Sequence, residues 1–307
     1  MTNTGPIVFA TYAEDDTDAA AALTMAESLR GFGGSLSDAP LWLYCPEEKP
    51  ELAAAVAGRA AELGVAVKAS PTPEPAREYY FAMKVYAAAA AESAAAAGRH
   101  PLLAWLDPDT VVVREPAAFL LKPGTALACR PVMHRLIGSS YDGPADEFWA
   151  RAYRAMGVAA DRIFPVTAPV DGAVIRAYFN AGMLVARPER GTLRQWPAQF
   201  ERLYTDGFFR EQCRQDQRRR VFLHQVALAG AVLTALTRAE IALLDESYNY
   251  PFFFFDQYPA DRRPASLDDP VTLRHDLRMF QDTEFYRRAG DGSAIIAWLE
   301  RRLPAAR

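Results

Sequence analysis

The sequence is poor in cysteine and carries no excess of basic charge, and each absence excludes a class of protein. Its three cysteines, Cys45, Cys129 and Cys213, are far apart and show no C-x-x-C spacing. This excludes a clustered zinc site and a disulfide framework, and it predicts free thiols in a reducing compartment. No Lys/Arg block forms a stripe for phosphates, and the net charge is −4. We therefore expect no nucleic-acid partner.

Long apolar runs are also missing. No segment approaches the roughly 20 uninterrupted apolar residues of a membrane span, so no integral membrane segment is expected. The opening stretch "MTNTGPIVFATYAEDD" has no basic region and only a short apolar run, which argues against a signal peptide. The sequence predicts a cytoplasmic protein.

What is present is enough apolar material for a large core. Half of the 307 residues are hydrophobic, which suits one large α/β domain. Apolar strands alternate with alanine-rich helices over the first 115 residues, predicting a mostly parallel sheet with helices on both faces. The predicted strands there are "PIVFATY", "PLWLYC", "VAVKAS" and "PLLAWL". Such sheets bind ligands outside the carboxyl ends of their strands.

The second half of the sequence is less regular. We expect a strand at "AGMLVARP", helices through "TLRQWPAQFERLYTDGFF" and "VFLHQVALAGAVLTALTR", and a strand-to-turn segment at "EIALLDESYNYPFFFF". The predicted organisation is a single domain over 1–283, with a C-terminal helix over 284–307 packed on it. Within the domain, 131–178 and 251–283 are predicted to be elaborations beside the ligand site.

Two aspartates, Asp107 and Asp109, stand directly after the apolar run "PLLAWL". Two carboxylates about 4 Å apart repel each other strongly, so a cation or a proton must stabilise the pair. Their hard oxygens suit Mg²⁺ or Mn²⁺, which binds substrate phosphates through its remaining positions. A turn around Pro108 is the structural alternative. The position at a strand end favours the metal site.

A second catalytic chemistry, phosphate-ester hydrolysis, is compatible with the same D-x-D motif. Haloacid-dehalogenase-type phosphatases carry D-x-D after an apolar strand, and the first aspartate, here Asp107, would be the nucleophile. That motif usually lies near the start of the domain, whereas at least three strand–helix units precede it here. The later acidic pair of such enzymes has only Asp268 and Asp269 as candidates, without an apolar strand before them.

The order of motifs resembles the GT-A fold nucleotide-sugar glycosyltransferases, nearest the glycogenin-like and lipopolysaccharide-galactosyltransferase-like group of glycosyltransferase family 8. The stretches that carry the resemblance cover roughly residues 7–255 and are "IVFATYAEDD", "AMKVYAAA", "WLDPDTVVVREP", "YFNAGMLVARP" and "LDESYNYP". D-x-D alone is weak, but D-x-D followed by F-N-x-G and Y-N in this order is fairly specific.

The resemblance implies a metal-dependent transfer of a sugar from a nucleotide-diphosphate sugar, a UDP-sugar first of all, to an acceptor hydroxyl. Mn²⁺ or Mg²⁺ would be held by Asp107, Asp109 and His275. The residues expected to contact the nucleotide sugar are Thr11, Tyr12, Asp15, Lys84, Asp107, Asn180, Ala181 and Gly182. The acceptor is an unidentified glycan, small molecule or lipid-linked compound.

Three residues are candidates for catalysis: Gln225, Asp171 and Asn180. Gln225 lies where the family often has Asp-Gln, but this sequence has His224-Gln225. The aspartate of that pair is a site carboxylate near the sugar, so its replacement keeps a third interpretation open, a protein that binds a nucleotide sugar without catalysis. Asp171, just ahead of the F-N-x-G strand, would either orient the acceptor hydroxyl or form an Asp-Gly turn.

Overall fold

The computed structural model describes residues 5–290 and 293–303. Its strands follow the apolar runs of the sequence. They are β1 Val8–Tyr12, β2 Leu41–Pro46, β3 Val65–Ser70, β4 Leu103–Leu106, β5 Thr110–Val112, β6 Leu127–Pro131, β7 Pro165–Thr167, β8 Val174–Arg176, β9 Phe179–Ala186, β10 Ile241–Leu243, β11 Tyr250–Pro251 and β12 Thr272–Arg274.

The α-helices fill most of the connections between strands. They are α1 Asp16–Phe32, α2 Pro50–Glu62, α3 Ala82–Ala97, α4 Glu147–Met156, α5 Trp196–Tyr204, α6 Gly207–Gln215, α7 Gln217–Ala235, α8 Thr283–Arg287 and α9 Ala294–Glu300. Asp15 begins α1 as its N-cap, accepting a hydrogen bond from the backbone N–H of Asp18 at 2.9 Å, which satisfies an otherwise unpaired donor of the first turn.

Seven strands form the central sheet in the order β10-β6-β9-β4-β1-β2-β3. All neighbouring pairs are parallel except those of β9, which runs antiparallel to both β4 and β6. The order 3-2-1-4 in the first half follows from right-handed strand–helix–strand connections. The carboxyl ends of β1 and β4 therefore lie side by side, where a doubly wound sheet binds its ligand.

Helices cover both faces of this sheet. Along β1, Val8 and Ala10 face the core under α3, α5 and α7, whereas Phe9 faces the core under α1 and α2. This alternation is the two-residue period of a strand that is buried on both sides. Helix α7 is buried almost all round from Leu223 to Leu233, so it forms the centre of its layer.

A second, three-stranded sheet in the order β11-β12-β5 lies beside the carboxyl end of β4. Strand β12 is antiparallel to β5, and Arg274 is the partner of Thr110. The aromatic segment Phe252–Gln257, a 3₁₀ helix, and helices α8 and α9 pack on this sheet in a third apolar core. The described residues beyond 250 therefore pack against β5, the strand that follows the D-x-D motif.

The expected α/β fold class is confirmed: a mostly parallel central sheet with helices on both faces. The helix expected over "TLRQWPAQFERLYTDGFF" is interrupted, because Asp206 caps a new helix by accepting the backbone N–H of Phe208 at 2.8 Å. The span 284–307 holds the end of α8 and the whole of α9, and its residues 291–292 and 304–307 lie outside the described residues. Among the described helices, none combines the length and apolar character that crossing a bilayer requires. The domain boundaries stay a prediction.

Candidate active site

Four charged side chains meet at the carboxyl end of β4. Lys84 Nζ lies 2.7 Å from Asp107 Oδ1, and both side chains are 4% exposed. Arg274 contacts Asp109 through Nη2 at 2.7 Å and Nε at 3.0 Å. The same Nη2 lies 3.1 Å from Asp107 Oδ2. Two carboxylates and two cations thus form one formally neutral network, in which Lys84 and Asp107 are buried and Asp109 and Arg274 are half-buried.

The fold places each of these groups. Lys84 lies on the first turn of α3, which packs against β1. Asp107 follows β4 directly, and its backbone N–H donates to the carbonyl of Gly182 at 2.8 Å. Asp109 precedes β5, and Arg274 is brought to it by the antiparallel pairing of β12 with β5. A buried charge pair survives only when its partners are held this closely, because the desolvation cost is otherwise uncompensated.

Gly182 leaves room for the Asp107 carboxylate. A Cβ atom at position 182 would lie 2.7 Å from Asp107 Oδ2 and 2.9 Å from Asn180 Oδ1. Asn180 Oδ1 accepts the backbone N–H of Gly182 at 2.8 Å and the side-chain amide of Asn249 at 3.0 Å. Asn249 is fully buried and has a left-handed backbone, with φ of 52°. The F-N-x-G and Y-N motifs are therefore joined through one amide–amide hydrogen bond.

Gln225 fixes the other side of this strand. Its side-chain carbonyl accepts the backbone N–H of Ala181 at 3.0 Å, and its amide lies 3.4 Å from the hydroxyl of Tyr178. The side chain of Gln225 is therefore bonded to Ala181 of β9 and lies beside Tyr178, the residue before β9. Gln225 holds the backbone of Ala181 and Gly182 against the D-x-D strand.

His224 faces the same region in its neutral form. Its Nδ1 lies 2.9 Å from the carbonyl of Val221, which can only accept, so Nδ1 carries the proton and Nε2 is left as an acceptor. Burial, and to a lesser degree Lys84, lowers the pKa of His224 well below its usual value. The ring packs 4.8 Å from that of Phe81. A neutral acceptor thus stands where the family resemblance of the sequence implies a carboxylate.

A cavity of about 220 Å³, the central cavity, opens over the charged network. Its floor is polar and its outer wall is largely apolar. The floor includes Lys84, Asp107, Asn180, Gly182, His224, Gln225 and Arg274, and the wall includes Met133, His134, Leu136, Phe253 and Phe254. A concave site with a few convergent polar groups and an apolar wall is typical of small-ligand binding.

A second cavity of about 290 Å³, the side cavity, lies on the other side of Phe81, which lines both. Its lining includes Tyr12, Glu14, Asp15, Asp18, Arg77 and Arg220. Burial raises the pKa of Glu14 and of Asp18. Phe81 has a left-handed backbone, with φ of 61°, immediately before α3. Such strain in a non-glycine residue is often found at binding sites.

The three residues expected from the first strand have different positions. Tyr12 and Asp15 line the side cavity. Tyr12 stacks on Trp105 and lies under Lys84 Nζ at 5.5 Å. Thr11 is fully buried within β1 and is not among the residues that line the two cavities described here. Its contact with a ligand stays a prediction.

Asp171 lies on the surface, outside the lining of the central cavity. Its carboxylate accepts the backbone N–H groups of Arg135 at 2.7 Å and Ala173 at 3.2 Å. Arg135 stands between His134 and Leu136, which belong to the cavity wall. The structure thus places Asp171 at a turn that supports this wall.

His275 does not join the two aspartates. Its backbone N–H donates to the carbonyl of Asp109 at 2.9 Å, but both ring nitrogens are buried without a hydrogen-bond partner, and the ring packs edge-on against Phe280. Within the described residues, no three side chains of His, Cys, Asp and Glu form a group that could hold a metal ion. The expected set of Asp107, Asp109 and His275 is therefore not assembled in the structure.

The carboxylate pair itself fits a divalent cation. Asp107 and Asp109 both reach the same nitrogen, Arg274 Nη2, at 3.1 and 2.7 Å. One positive charge at that point contacts oxygens of both residues, and carboxylate oxygens are the ligands that Mg²⁺ and Mn²⁺ prefer. Asp107 and Asp109 would provide two protein ligands for the ion, and Arg274 lies between them in this structure.

Sequence reasoning missed two residues of this site, Arg274 and Asn249. Arg274 directly precedes the histidine that the sequence singled out, but only the pairing of β12 with β5 shows which carboxylates it contacts. Asn249 lies in the quoted Y-N motif, so the motif was found while the role of its amide was not. His134 also lines the central cavity and contacts Gln257 at 3.1 Å.

The doubly wound sheet thus carries a charged cavity at the carboxyl ends of its strands, where such sheets bind their ligands. The chain belongs to the Rhodobacterales glycosyltransferase domain family, whose model matches residues 10–235. The expectation of a glycosyltransferase is thereby confirmed. No curated protein sequence matches the chain.

Several solved structures are similar to this chain at low identity. The galactosyltransferase LgtC in complex with donor and acceptor sugar analogues has a TM-score of 0.47 at 14% identity, covering 98% of this chain and 97% of that one. Mouse xyloside xylosyltransferase 1 in its apo form has a TM-score of 0.46 at 14% identity, covering 88% and 96%. Core-mannan synthase A from Aspergillus fumigatus, in a Mn/GDP form, has a TM-score of 0.44 at 9% identity, covering 78% and 72%.

Proposed function

We propose that this glycosyltransferase moves a sugar from a nucleotide-diphosphate sugar, with a UDP-sugar as the first donor class, to an acceptor hydroxyl. The observation that carries this proposal is the charged network of Lys84, Asp107, Asp109 and Arg274, of which Lys84, Asp107 and Arg274 line the central cavity. Such a network provides both the cations that bind a diphosphate and the carboxylates that bind its metal ion. The preference for uridine rests on the resemblance of the sequence motifs.

The donor fits across both cavities. The side cavity, with Tyr12 and Asp15, is proposed to receive the base and ribose, whose N–H and hydroxyl groups suit its acidic acceptors. The diphosphate then lies over Lys84, and the sugar lies in the central cavity beside Asn180 and Gly182. Phe81, which lines both cavities, separates the nucleoside from the sugar.

In the reaction, the bond between the anomeric carbon and the diphosphate oxygen breaks, a bond from the acceptor oxygen to that carbon forms, and the proton of the acceptor hydroxyl passes to the leaving diphosphate. Lys84 stabilises the charge that develops on the leaving diphosphate. Mn²⁺ or Mg²⁺, when bound by Asp107 and Asp109, supplies further charge stabilisation to the diphosphate. The part of His275 in holding this ion stays a prediction.

The polar groups around the sugar are proposed to position it. Gln225 holds the backbone of Ala181, Asn180 is fixed by Asn249, and His224 offers Nε2 as an acceptor. We assign Asn180 and Gln225 to the sugar subsite. His224, in place of a carboxylate, accepts a hydrogen bond from a sugar hydroxyl without adding negative charge beside the anomeric carbon.

The acceptor is proposed to enter over the apolar wall of the central cavity. This wall comes from both elaborations that the sequence singled out, 131–178 through His134 and Leu136, and 251–283 through Phe253 and Phe254. His134 and Phe254 meet edge-to-face, with ring centroids 4.8 Å apart. Asp171 supports this wall through the backbone N–H of Arg135, which is the role we propose for it.

The proposal is tested by incubating the protein with a panel of UDP- and GDP-sugars and Mn²⁺, and by measuring release of the nucleoside diphosphate. We expect release from at least one UDP-sugar and a loss of about 100-fold for Asp109→Asn. Asp38→Asn is the matched control, because Asp38 is exposed and precedes β2 at the opposite end of the sheet.

Two outcomes would support the alternatives. Binding of UDP without turnover of any donor supports the non-catalytic interpretation. Phosphate release from simple monoesters that Asp107→Asn abolishes supports the phosphatase. The phosphatase would need Asp268 as part of its later acidic pair. The carboxylate of Asp268 instead lies beside the N-terminus of α9, 3.4 Å from the backbone nitrogens of Ala294 and Ile295.

A further inference from the structure

Arg274 takes the position that a cation shared by Asp107 and Asp109 would need. Its guanidinium makes a bidentate contact with Asp109 and lies 3.1 Å from Asp107 Oδ2. This placement is built into the fold, because β12 pairs with β5 and sets Arg274 opposite Thr110, one residue after Asp109. The pairing continues through the backbone N–H of His275 to the carbonyl of Asp109.

The charges of the network balance without any ligand. Lys84 and Arg274 carry two positive charges, and Asp107 and Asp109 carry two negative ones. A divalent cation alone adds two positive charges beside Arg274, and a nucleotide-diphosphate sugar alone adds two negative charges beside the carboxylates. Each ligand alone therefore meets a like charge, while both together restore neutrality.

The two cations of the network differ in how far their side chains are enclosed. Lys84 is 4% exposed and lies over the rings of Phe81 at 4.5 Å and Tyr12 at 5.5 Å, so it is enclosed. The Arg274 side chain is 21% exposed and lines the central cavity. Arg274 is therefore the cation that can leave the carboxylates without unpacking the core.

We propose that Arg274 is an internal counter-ion of the D-x-D pair that competes with the divalent cation, and that it moves to the donor diphosphate when both ligands bind. This inference rests on the proposed donor class. Its consequence is that metal and donor bind cooperatively: each binds weakly alone, and by linkage each raises the affinity of the other by the same factor. Arginine suits this exchange because its planar fork matches both carboxylate and phosphate oxygens.

The first test measures the binding of Mn²⁺ in the absence of nucleotide. The loss of the electron paramagnetic resonance signal of the free ion reports how much Mn²⁺ the 307-residue protein binds. We expect weak binding by the wild type and about tenfold tighter binding by Arg274→Gln. Arg278→Gln is the matched control, since Arg278 is exposed and pairs with Asp276. Equal or weaker Mn²⁺ binding by Arg274→Gln would overturn the competition.

The second test repeats the titration with UDP present. UDP should raise the Mn²⁺ affinity of the wild type about tenfold or more, and it should raise that of Arg274→Gln by a much smaller factor. An equal enhancement in both proteins overturns the transfer of Arg274 to the diphosphate. Arg274→Lys, which keeps the charge but loses the fork, should be intermediate, and it provides the same comparison if the glutamine variant does not fold.

The two proposals fail in different ways. If UDP and GDP both fail to bind the wild type with Mn²⁺ present, the proposed donor class is wrong. The nucleotide-free titration still decides the competition between Arg274 and the metal in that case. If GDP gives the enhancement and UDP does not, the coupling is supported and the base is reassigned.

Discussion

The carboxylate of Asp107 lies against the space that a side chain at position 182 would fill. Strand β9 runs antiparallel to β4, so the carbonyl of Gly182 accepts the backbone N–H of Asp107 at 2.8 Å while the side chain of Asp107 lies over the glycine. A Cβ atom at position 182 would lie 2.7 Å from Asp107 Oδ2. The glycine of the F-N-x-G motif thus sets the position of the first aspartate of D-x-D.

Gly182→Ala should therefore lower sugar transfer by about 100-fold, because a displacement of about 1 Å at reacting groups costs this much. The carboxylate has to shift, and Lys84 and Arg274 shift with it. Gly31→Ala in α1 is the control, since a Cβ there meets nothing within 4 Å. Steady-state kinetics of both variants check the prediction, and unchanged kcat in Gly182→Ala contradicts it.

Lys84→Met should destabilise the fold as well as the reaction. It leaves the buried Asp107 carboxylate with Arg274 alone, and removing one partner of a buried pair costs about 3 kcal/mol of unfolding free energy. The double variant Lys84→Met/Asp107→Asn should recover part of this loss, because no buried charge is then unpaired. Urea denaturation measures all three, with Lys122→Met as the exposed control. If the loss of unfolding free energy in the double variant equals the sum of the two single losses, Lys84 and Asp107 do not stabilise each other.

His224 predicts a specific dependence of stability on pH. Burial, and to a lesser degree Lys84, lowers its pKa in the folded protein, so the unfolded chain takes up a proton near pH 6.5 that the folded protein does not. The unfolded state then binds more protons, and stability falls as the pH drops below about 6.5. His224→Gln should remove about 1.4 kcal/mol of this loss between pH 7.5 and 5.5. Parallel pH profiles of wild type and variant, measured by urea denaturation, would contradict a neutral buried His224.

Asn249→Gly isolates the hydrogen bond between the two motifs. Glycine tolerates the φ of 52°, so the change removes the amide that donates to Asn180 while keeping the backbone. We expect kcat to fall about tenfold with little change in UDP affinity, because Asn180 lies in the proposed sugar subsite and not beside the nucleoside. A weaker affinity for UDP with unchanged kcat would show that Asn249 supports nucleotide binding and not the sugar subsite.

Sequence reasoning predicted the elements that depend on local pattern. Apolar runs and alanine-rich stretches placed β1 to β4 and α1 to α3 correctly, and the strand after Phe179 was expected from its apolar residues. Its antiparallel direction was not expected, because direction depends on how distant segments pair. The break between α5 and α6 was missed, although Asp206 is a good N-cap.

The site was predicted as far as its motifs reach. Lys84, Asp107, Asn180 and Gln225 all line the central cavity. Arg274 was not predicted, because the contact depends on a pairing between segments about 165 residues apart. The family resemblance implied the neighbouring His275 as a metal ligand, whereas the structure brings Arg274 to the carboxylates and leaves the His275 ring beside Phe280.

The most direct test of the account is a calorimetric titration of the wild type and Asp109→Asn with UDP, with Mn²⁺ and again with a chelator. If Asp107 and Asp109 hold a divalent cation that binds the donor diphosphate, UDP affinity should fall at least about tenfold with the chelator and equally in Asp109→Asn with Mn²⁺. UDP binding that is unchanged by the chelator and by Asp109→Asn would contradict the central claim.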